Sequence, residues 1–166
     1  MYMQRRNIDD LRADFLPLII ELECGSHYDS TNTQHEAWLK NRLATLFMSG
    51  GTAICRYDEG NVPVGLVLVQ HDKGLAGVAC FGKKATIAMI GILPAFRSKG
   101  LGKELLLEAE RHAKAEGAEC VYVDTYANNQ GAIRFYVQQG YVPVAYHPYE
   151  NGADDKGQVY LCKELT

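Results

Sequence analysis

The feature that most constrains the fold is a junction near the middle of the chain, where an apolar run meets a basic, glycine-containing stretch. Residues 85–93 read ATIAMIGIL and are followed by Pro94, which is typical of a buried strand. The next residues, FRSKGLGKELL, place two glycines among three basic residues and open a pattern that predicts a helix to about residue 116. The chain must therefore form a strand, a tight basic loop and a helix in direct succession.

Such a junction is a candidate anion site. The first N–H groups of a helix have no partner within the helix, and the helix dipole places partial positive charge at the same end. Gly100 and Gly102 have no side chains to block an approaching group, while Arg97, Lys99 and Lys103 add positive charge. The pattern favours a phosphate or diphosphate ligand, and the alternative is a glycine-rich turn with solvated lysines.

Two other phosphate motifs do not fit this stretch. A Walker A loop requires glycine at position 97 and Ser or Thr at position 104, where the chain has Arg97 and Glu104. A dinucleotide fingerprint requires a third glycine at position 105, where the chain has Leu105. Neither a P-loop nor a Rossmann site is therefore expected.

The rest of the chain alternates strand-like and helix-like patterns. Strands are predicted at residues 2–8, 52–57, 64–70, 85–93, 120–126, 141–146 and 158–163. Helices are predicted from residue 9 or 10 through Leu22, at 37–48, from the basic loop to 116, and at 129–139. This order predicts an α/β (α+β) fold with a sheet of mixed direction. At 166 residues and 47% hydrophobic, residues 1–166 are expected to form a single domain.

Composition excludes several classes of function. The net charge of −3 leaves no broad basic surface for nucleic acid. No apolar run is long enough to span a bilayer, and the start of the chain turns acidic before a signal-peptide core could form, so a cytoplasmic protein is expected. The five cysteines stand singly without a CxxC pair, and the five histidines show no metal-ligand spacing. Disulfides and a metal are not expected.

Two motifs together resemble the GCN5-related N-acetyltransferase (GNAT) family. The first is Arg-x-x-Gly-x-Gly, directly after the predicted strand at 85–93. The second is N-x-x-A-x-x-x-Y-x-x-x-G-[FY], some thirty residues downstream. The matching residues are Arg97, Gly100 and Gly102 in the first motif, and Asn129, Ala132, Tyr136, Gly140 and Tyr141 in the second. The resemblance covers residues 85–144 and implies a GNAT-like, mostly antiparallel sheet of six to seven strands, splayed at its centre, with about four helices on its faces.

The resemblance implies acetyl-CoA as cofactor, with CoA as product. Its diphosphate would lie on residues 98–103 and its pantetheine arm along the end of the strand at 85–93. The implied cofactor-binding residues are Gly91, Ile92, Leu93, Arg97, Ser98, Lys99, Gly100, Leu101, Gly102, Lys103, Asn129 and Tyr136. Two of these assignments stay open: Gly91 is either a strand bulge or a packing glycine, and Asn129 binds pantetheine or, like Asn128, caps the following helix.

The family's chemistry is direct attack of an amine on the thioester within a ternary complex. The resemblance implies Tyr136 as the general acid that protonates the CoA thiolate, and the amide of Ile92 as an oxyanion donor. Many relatives carry a Glu on the strand before the loop, but residues 85–90 hold no acid. Asp124 matches a proton acceptor of some relatives, or is a hydrogen-bonded strand-end aspartate; Glu21 and Glu23 are further candidates for the acceptor side.

The predicted function is transfer of acetyl from acetyl-CoA to a primary amine carried by a small molecule or a peptide. The alternative is a non-catalytic acyl-CoA sensor of the same fold. Acidic residues at 21, 23, 29, 150, 154 and 155 and tyrosines at 146 and 149 would attract a cationic amine. A homodimer is a possible assembly, and neither nucleic acid nor a membrane is an expected partner.

Overall fold

The computed structural model describes residues 1–7, 15–23, 31–34, 37–38, 41–42, 44, 50–71, 82–148 and 157–166. The strands are β1 Tyr2–Asn7, β2 Thr52–Tyr57, β3 Pro63–His71, β4 Lys84–Ile92, β5 Cys120–Tyr126, β6 Val142–His147 and β7 Gln158–Glu164. The helices are α1 Leu16–Glu23, α2 Leu101–Ala115 and α3 Gln130–Gln138, and a short 3-10 helix covers Pro94–Phe96. The predicted strand, loop and helix around the basic stretch are therefore present as β4, residues 93–100 and α2.

Within the described residues, the strands form a seven-stranded sheet in the order β1-β2-β3-β4-β5-β7-β6. Strand β2 is antiparallel to β1 and β3, and β7 is antiparallel to β5 and β6. Strands β4 and β5 are parallel where Lys84–Ile87 pair with Cys120–Val123, and both strands continue beyond this ladder. The predicted mixed, mostly antiparallel sheet is confirmed, whereas the central splay stays a prediction.

The helices follow the predicted pattern with shifted ends. Helix α2 ends at Ala115, and Gly117, with a φ of +88°, takes the left-handed conformation that terminates helices. The structure defines the bounds of three α-helices; residues 37–38, 41–42 and 44 of the predicted helix at 37–48 are also helical, and the rest of that helix and the predicted start of the first helix at 9–14 lie outside the described residues. No helix in these ranges is both long enough and apolar enough to cross a membrane.

The chain divides into two compact units. The first contains Met1–Gln70 and Met89–Ala109, and the second contains His71–Ala88 and Glu110–Thr166. The side chains that fill the first include Ile54, Leu66, Leu68, Leu105 and Leu106, and those that fill the second include Val121, Val123, Tyr141 and Leu161. The prediction that residues 1–166 are a single domain stays a prediction.

Candidate active site

In the first unit, the backbone N–H and C=O groups at the end of β4 point alternately towards β3 and towards the opposite edge of the strand. The amide of Leu93 donates to the carbonyl oxygen of Val64 on β3, at 2.9 Å. Because consecutive residues of a strand point their N–H and C=O groups in opposite directions, the N–H and C=O of Ile92 lie on the edge away from β3. Ile92 therefore has the orientation that a backbone donor to a ligand beside β4 requires, whereas the N–H of Leu93 is already used within the sheet.

Arg97 ties the loop back to this strand. Its Nε donates to the carbonyl oxygen of Ile92 at 2.9 Å, and the residue is exposed. This bond uses one of the five N–H donors of the guanidinium. The sequence predicted that Arg97 contributes positive charge at an anion site. The structure shows that Arg97 also anchors the loop to the backbone of β4.

The loop enters α2 through two residues with left-handed backbone angles. Ser98 has a φ of 61° and Gly100 a φ of 81°, and a Cβ built on Gly100 would meet no atom within 4 Å. A positive φ is uncommon for a serine and marks a backbone held in place by its surroundings. The first helical bond runs from the Glu104 N–H to the Gly100 carbonyl, so Gly100 is the N-cap of α2.

A glycine N-cap leaves the start of α2 without a side-chain cap. A Ser, Asp or Asn at this position would accept a hydrogen bond from the second or third residue of the helix, here Gly102 or Lys103. Glycine has no such acceptor, and Gly102 adds no side chain in the first turn. The backbone amides at this end are therefore arranged as donors for an anion from outside the helix.

Charged side chains around the loop favour an anion. Lys103 is exposed in the first turn of α2, and the Lys99 ammonium lies 5.4 Å from the centre of the Phe96 ring. The acid in the first turn, Glu104, forms a 2.8 Å ion pair with Arg56. This pairing offsets the negative charge of Glu104 near the loop.

Gly91 is a packing glycine in this structure. A Cβ at this position would lie 2.4 Å from Cδ2 and 2.8 Å from Cδ1 of Leu22 on α1. Carbon atoms cannot approach so closely without displacement, so α1 packs directly on the backbone of β4 at this point. The packing alternative for Gly91 is therefore observed, and the predicted bulge stays a prediction.

This contact gives a prediction for stability. Replacing Gly91 with Ala should lower the free energy of unfolding by about 1–3 kcal/mol, because the added methyl group overpacks the contact with Leu22. Chemical denaturation measures the change. The double variant Gly91→Ala/Leu22→Ala should lose less than the sum of the two single variants, since the shortened side chain makes room for the methyl group. Strictly additive losses would contradict the contact.

In the second unit, Asn129 begins α3 as its N-cap. Its Oδ1 accepts a hydrogen bond from the Ala132 N–H at 3.1 Å. Of the two roles left open for this residue, capping is the one that the structure displays. The capping bond uses the side-chain oxygen, and the Nδ2 group of an asparagine is a donor by its chemistry. The cofactor role stays a prediction.

Tyr136 is buried on α3, with 5% of its surface exposed. Burial and, to a smaller extent, the carboxylate of Asp124 raise the pKa of Tyr136 above its ordinary value. Both effects disfavour the phenolate, so the hydroxyl keeps its proton at neutral and moderately alkaline pH. The two predicted catalytic residues of this unit are therefore within electrostatic range of each other.

A partly buried ion pair between Lys163 and Glu110 lies near Tyr141, the ring that packs against Tyr136. The ring centre of Tyr141 is 5.6 Å from that of Tyr136, and the Lys163 ammonium is 5.7 Å from the centre of the Tyr141 ring. Lys163 also bonds the buried carboxylate of Glu110 at 2.7 Å. Burial and Glu110 raise the pKa of Tyr141, which is therefore a neutral phenol as well.

Asp124 is half-buried and belongs to a hydrogen-bonded chain that the sequence did not indicate. The Nε2 of Gln158 donates to Oδ2 of Asp124 at 3.2 Å, and the Tyr160 hydroxyl donates to Oε1 of Gln158 at 3.1 Å. Residue 158 is thirty-four positions from Asp124, and only the register of β5 against β7 brings them together. A single sequence does not contain that register, so Gln158 and Tyr160 were missed.

The other predicted acceptor residues are less fully described. Glu21 lies half-buried on α1, and the side chain of Glu23 lies outside the described residues. The acids at 29, 150, 154 and 155 and the tyrosine at 149 also lie outside them. Tyr146, on β6, is 53% exposed.

The chain is similar to two curated acetyltransferases. It is 30% identical over 104 residues to a mycothiol acetyltransferase of Frankia casuarinae, a match that covers 51% of this chain and 30% of the relative. It is 31% identical over 70 residues to the N-alpha-acetyltransferase MAK3 of Arabidopsis thaliana, covering 41% of this chain and 37% of the relative. The matches thus span about a third of each curated relative.

Its fold resembles that of solved acetyltransferases. A chain of the NatC complex, solved with a Gag peptide and CoA bound, superposes with a TM-score of 0.65 and 18% identity over the whole of both chains. At that identity the likeness concerns the fold. The family model described as the Acetyltransferase (GNAT) family matches residues 9–141, so this chain belongs to the Acetyltransferase (GNAT) family.

Proposed function

We propose that this chain transfers the acetyl group of acetyl-CoA to a primary amine by direct attack, with both substrates bound at once. The observation that carries the proposal is Tyr136, a buried phenol whose surroundings keep its proton in place, in the helix of the second family motif. A group that protonates a departing thiolate must hold its proton until the carbon–sulfur bond breaks.

The start of α2 is the proposed diphosphate site. Its glycine N-cap, the left-handed angles at Ser98 and Gly100, and the charges of Lys99 and Lys103 support this assignment. Arg97 would hold the loop against β4 and offer its remaining N–H groups to a phosphate oxygen. The amides involved belong to residues 100–103.

The proposed pantetheine contacts are backbone groups of β4 and the side-chain Nδ2 group of Asn129. The N–H of Ile92 lies on the edge of β4 away from β3 and would donate to the thioester oxygen as negative charge develops there. The Leu93 N–H takes no part, because it bonds Val64. By the same alternation the N–H and C=O of Gly91 point towards β3, and its side-chain position faces Leu22, so Ile92 is the residue of β4 proposed to contact pantetheine.

The proposed reaction balances without a covalent enzyme intermediate. The lone pair of a neutral amine forms a bond to the thioester carbon, and the carbonyl electrons move to oxygen. As the carbonyl re-forms, the carbon–sulfur bond breaks, and the Tyr136 hydroxyl gives its proton to sulfur. The phenolate regains a proton from the nitrogen, which becomes the amide. Asp124, in range of Tyr136, would first take one proton from an acceptor that arrives as an ammonium.

Ligand binding and turnover test the proposal in two steps. Saturating acetyl-CoA should raise the melting temperature, since a ligand at 100 times its Kd stabilises the folded state by about 2.7 kcal/mol. The rate of thiol release should then be measured with a panel of small amines and peptides. With an accepted amine, this rate should be proportional to the enzyme concentration. No thermal shift at saturating acetyl-CoA would contradict the proposed donor.

An acyl-CoA sensor of the same fold is the second candidate. It is favoured by the lack of any carboxylate in residues 85–90 of β4, where many relatives have one. A sensor would show the thermal shift with acetyl-CoA but release no thiol with any amine. Mass spectrometry of the amine panel identifies the acceptor at the same time.

A further inference from the structure

We propose that Gln158 and Tyr160 are positioning residues that hold the Asp124 carboxylate ionised and in one orientation, so that it binds the acceptor as a protonated primary amine. This inference rests on the proposed function, in which Asp124 takes the acceptor's proton. It adds two residues on β7, Gln158 and Tyr160, to the groups that act on the acceptor.

The sheet register explains why these side chains meet. Asp124 on β5 lies directly opposite Tyr160 on β7, and Tyr126 lies opposite Gln158. Opposite residues of an antiparallel pair share a face, as do residues two apart on one strand. Gln158 is thus the diagonal neighbour of Asp124 and reaches it with its long side chain, closing a bond of 3.2 Å.

The chain of bonds has a direction that the carboxylate itself imposes. An amide offers either its oxygen or its nitrogen, but only the nitrogen can donate to an ionised carboxylate. With Nε2 of Gln158 turned towards Asp124, Oε1 faces the Tyr160 hydroxyl and accepts its hydrogen at 3.1 Å. If the amide turned over, its oxygen would oppose the carboxylate. The carboxylate therefore sets the orientation of Gln158, and the Tyr160 hydroxyl holds the Oε1 end of the amide while Nε2 donates to Asp124.

The two tyrosines near Asp124, Tyr160 and Tyr136, stay uncharged and so add no negative charge beside its carboxylate. Burial and, to a smaller extent, Asp124 raise the pKa of Tyr160, so its hydroxyl remains a donor at alkaline pH. Tyr136 remains a neutral phenol for the same two reasons. The His147 ring lies edge to face with the Tyr160 ring, with the ring centres 5.4 Å apart.

An ionised Asp124 selects the acceptor by charge. A carboxylate offers about four acceptor sites, so the same group can accept from Gln158 and from an ammonium. The ammonium then gives one proton to Asp124, which becomes a carboxylic acid, and the neutral amine attacks the thioester. An alkyl amine or a peptide N-terminus meets this requirement, whereas an aromatic amine is neutral at the same pH and gains nothing from the charge.

The test compares Gln158→Met and Tyr160→Phe with the control Tyr126→Phe, which removes a hydroxyl from the same face of the sheet. Removing a donor to the charged form raises the pKa of a carboxyl group. We expect the Asp124 carboxyl, followed by NMR in the full chain without substrate, to titrate about half to one pH unit higher in Gln158→Met. A smaller shift in the same direction is expected in Tyr160→Phe.

Turnover gives the second readout. Because a proton acceptor must be ionised, the acidic limb of kcat/KM should move to higher pH in both variants. The preference for an alkyl amine over an aromatic amine should fall at least a few-fold at the pH where Asp124 becomes protonated. Tyr126→Phe should leave the limb and the preference unchanged.

An unchanged Asp124 titration in Gln158→Met would overturn the inference, as would equal shifts in the control. The NMR titration needs no turnover, so it tests the positioning of Asp124 even if the chain acetylates no amine. The absence of acetyl transfer in the wild-type chain would instead count against the proposed function.

Discussion

Replacing Tyr136 with Phe should lower kcat by about 10²–10⁴-fold, the range that a positioned general acid contributes. The phenyl ring keeps the contact with Tyr141 at 5.6 Å, so the fold should persist and the affinity for acetyl-CoA should change little. The loss should fall on kcat and kcat/KM alike, since the proton is needed only as the carbon–sulfur bond breaks. Stopped-flow detection of thiol release, with a thermal melt of each variant, measures both quantities.

Tyr141→Phe is the matched control for this variant. It removes a hydroxyl from the adjacent buried ring, and the second family motif accepts Phe or Tyr at this position. Turnover should stay near that of the wild-type chain.

The raised pKa of Tyr136 also sets the pH dependence of turnover. The wild-type rate should not fall through ionisation of this residue as the pH rises towards 10.0, the ordinary pKa of a tyrosine. Full turnover of Tyr136→Phe at every pH would refute the acid role.

The second large effect concerns the diphosphate. Gly102→Trp should weaken acetyl-CoA binding on the order of 100-fold or more, because an indole in the first turn of α2 would fill the space in front of the bare backbone amides. Gly102 lies half-buried beside the exposed Lys103, so the melting temperature of the unliganded chain should change only slightly. Isothermal titration measures the affinity, and thermal melts check the fold.

Glu116→Trp is the control for bulk. It adds the same ring at an exposed position just past the other end of α2. Acetyl-CoA should bind this variant as it binds the wild-type chain. If Gly102→Trp also bound acetyl-CoA with unchanged affinity, the phosphates would have to lie elsewhere on the chain.

Much of the framework could be predicted from the sequence because local patterns determine it. Strands β2 and β5 begin and end where their alternation predicted, at Thr52–Tyr57 and Cys120–Tyr126. The glycine and proline boundaries around β4 and α2 also held to within about one residue. These elements are specified by residues close in sequence, so one sequence contains the information.

The details of the site depended on contacts between distant residues, which a pattern cannot reveal. The sequence favoured a bulge at Gly91 with packing as the alternative, and the contact with Leu22 became visible only in the structure. The sequence motif predicted Arg97 as a phosphate ligand. Its Nε bond to the Ile92 carbonyl could not be predicted, because it depends on how the loop folds back onto β4. Gln158 carries no chemical signature of its own and becomes significant only through the register that sets it beside Asp124.

The two helix starts, at Gly100 and Asn129, differ in a way that affects thermodynamics. Asn129 completes α3 from within the chain, whereas the glycine at the start of α2 leaves that completion to a ligand. At the proposed diphosphate site the cofactor would supply the missing cap of α2, and part of its binding free energy would then be helix stability that the chain itself lacks. Amide hydrogen exchange in residues 101–103 should therefore slow when acetyl-CoA binds, and by more than exchange in the first turn of α3, whose cap is present without a ligand.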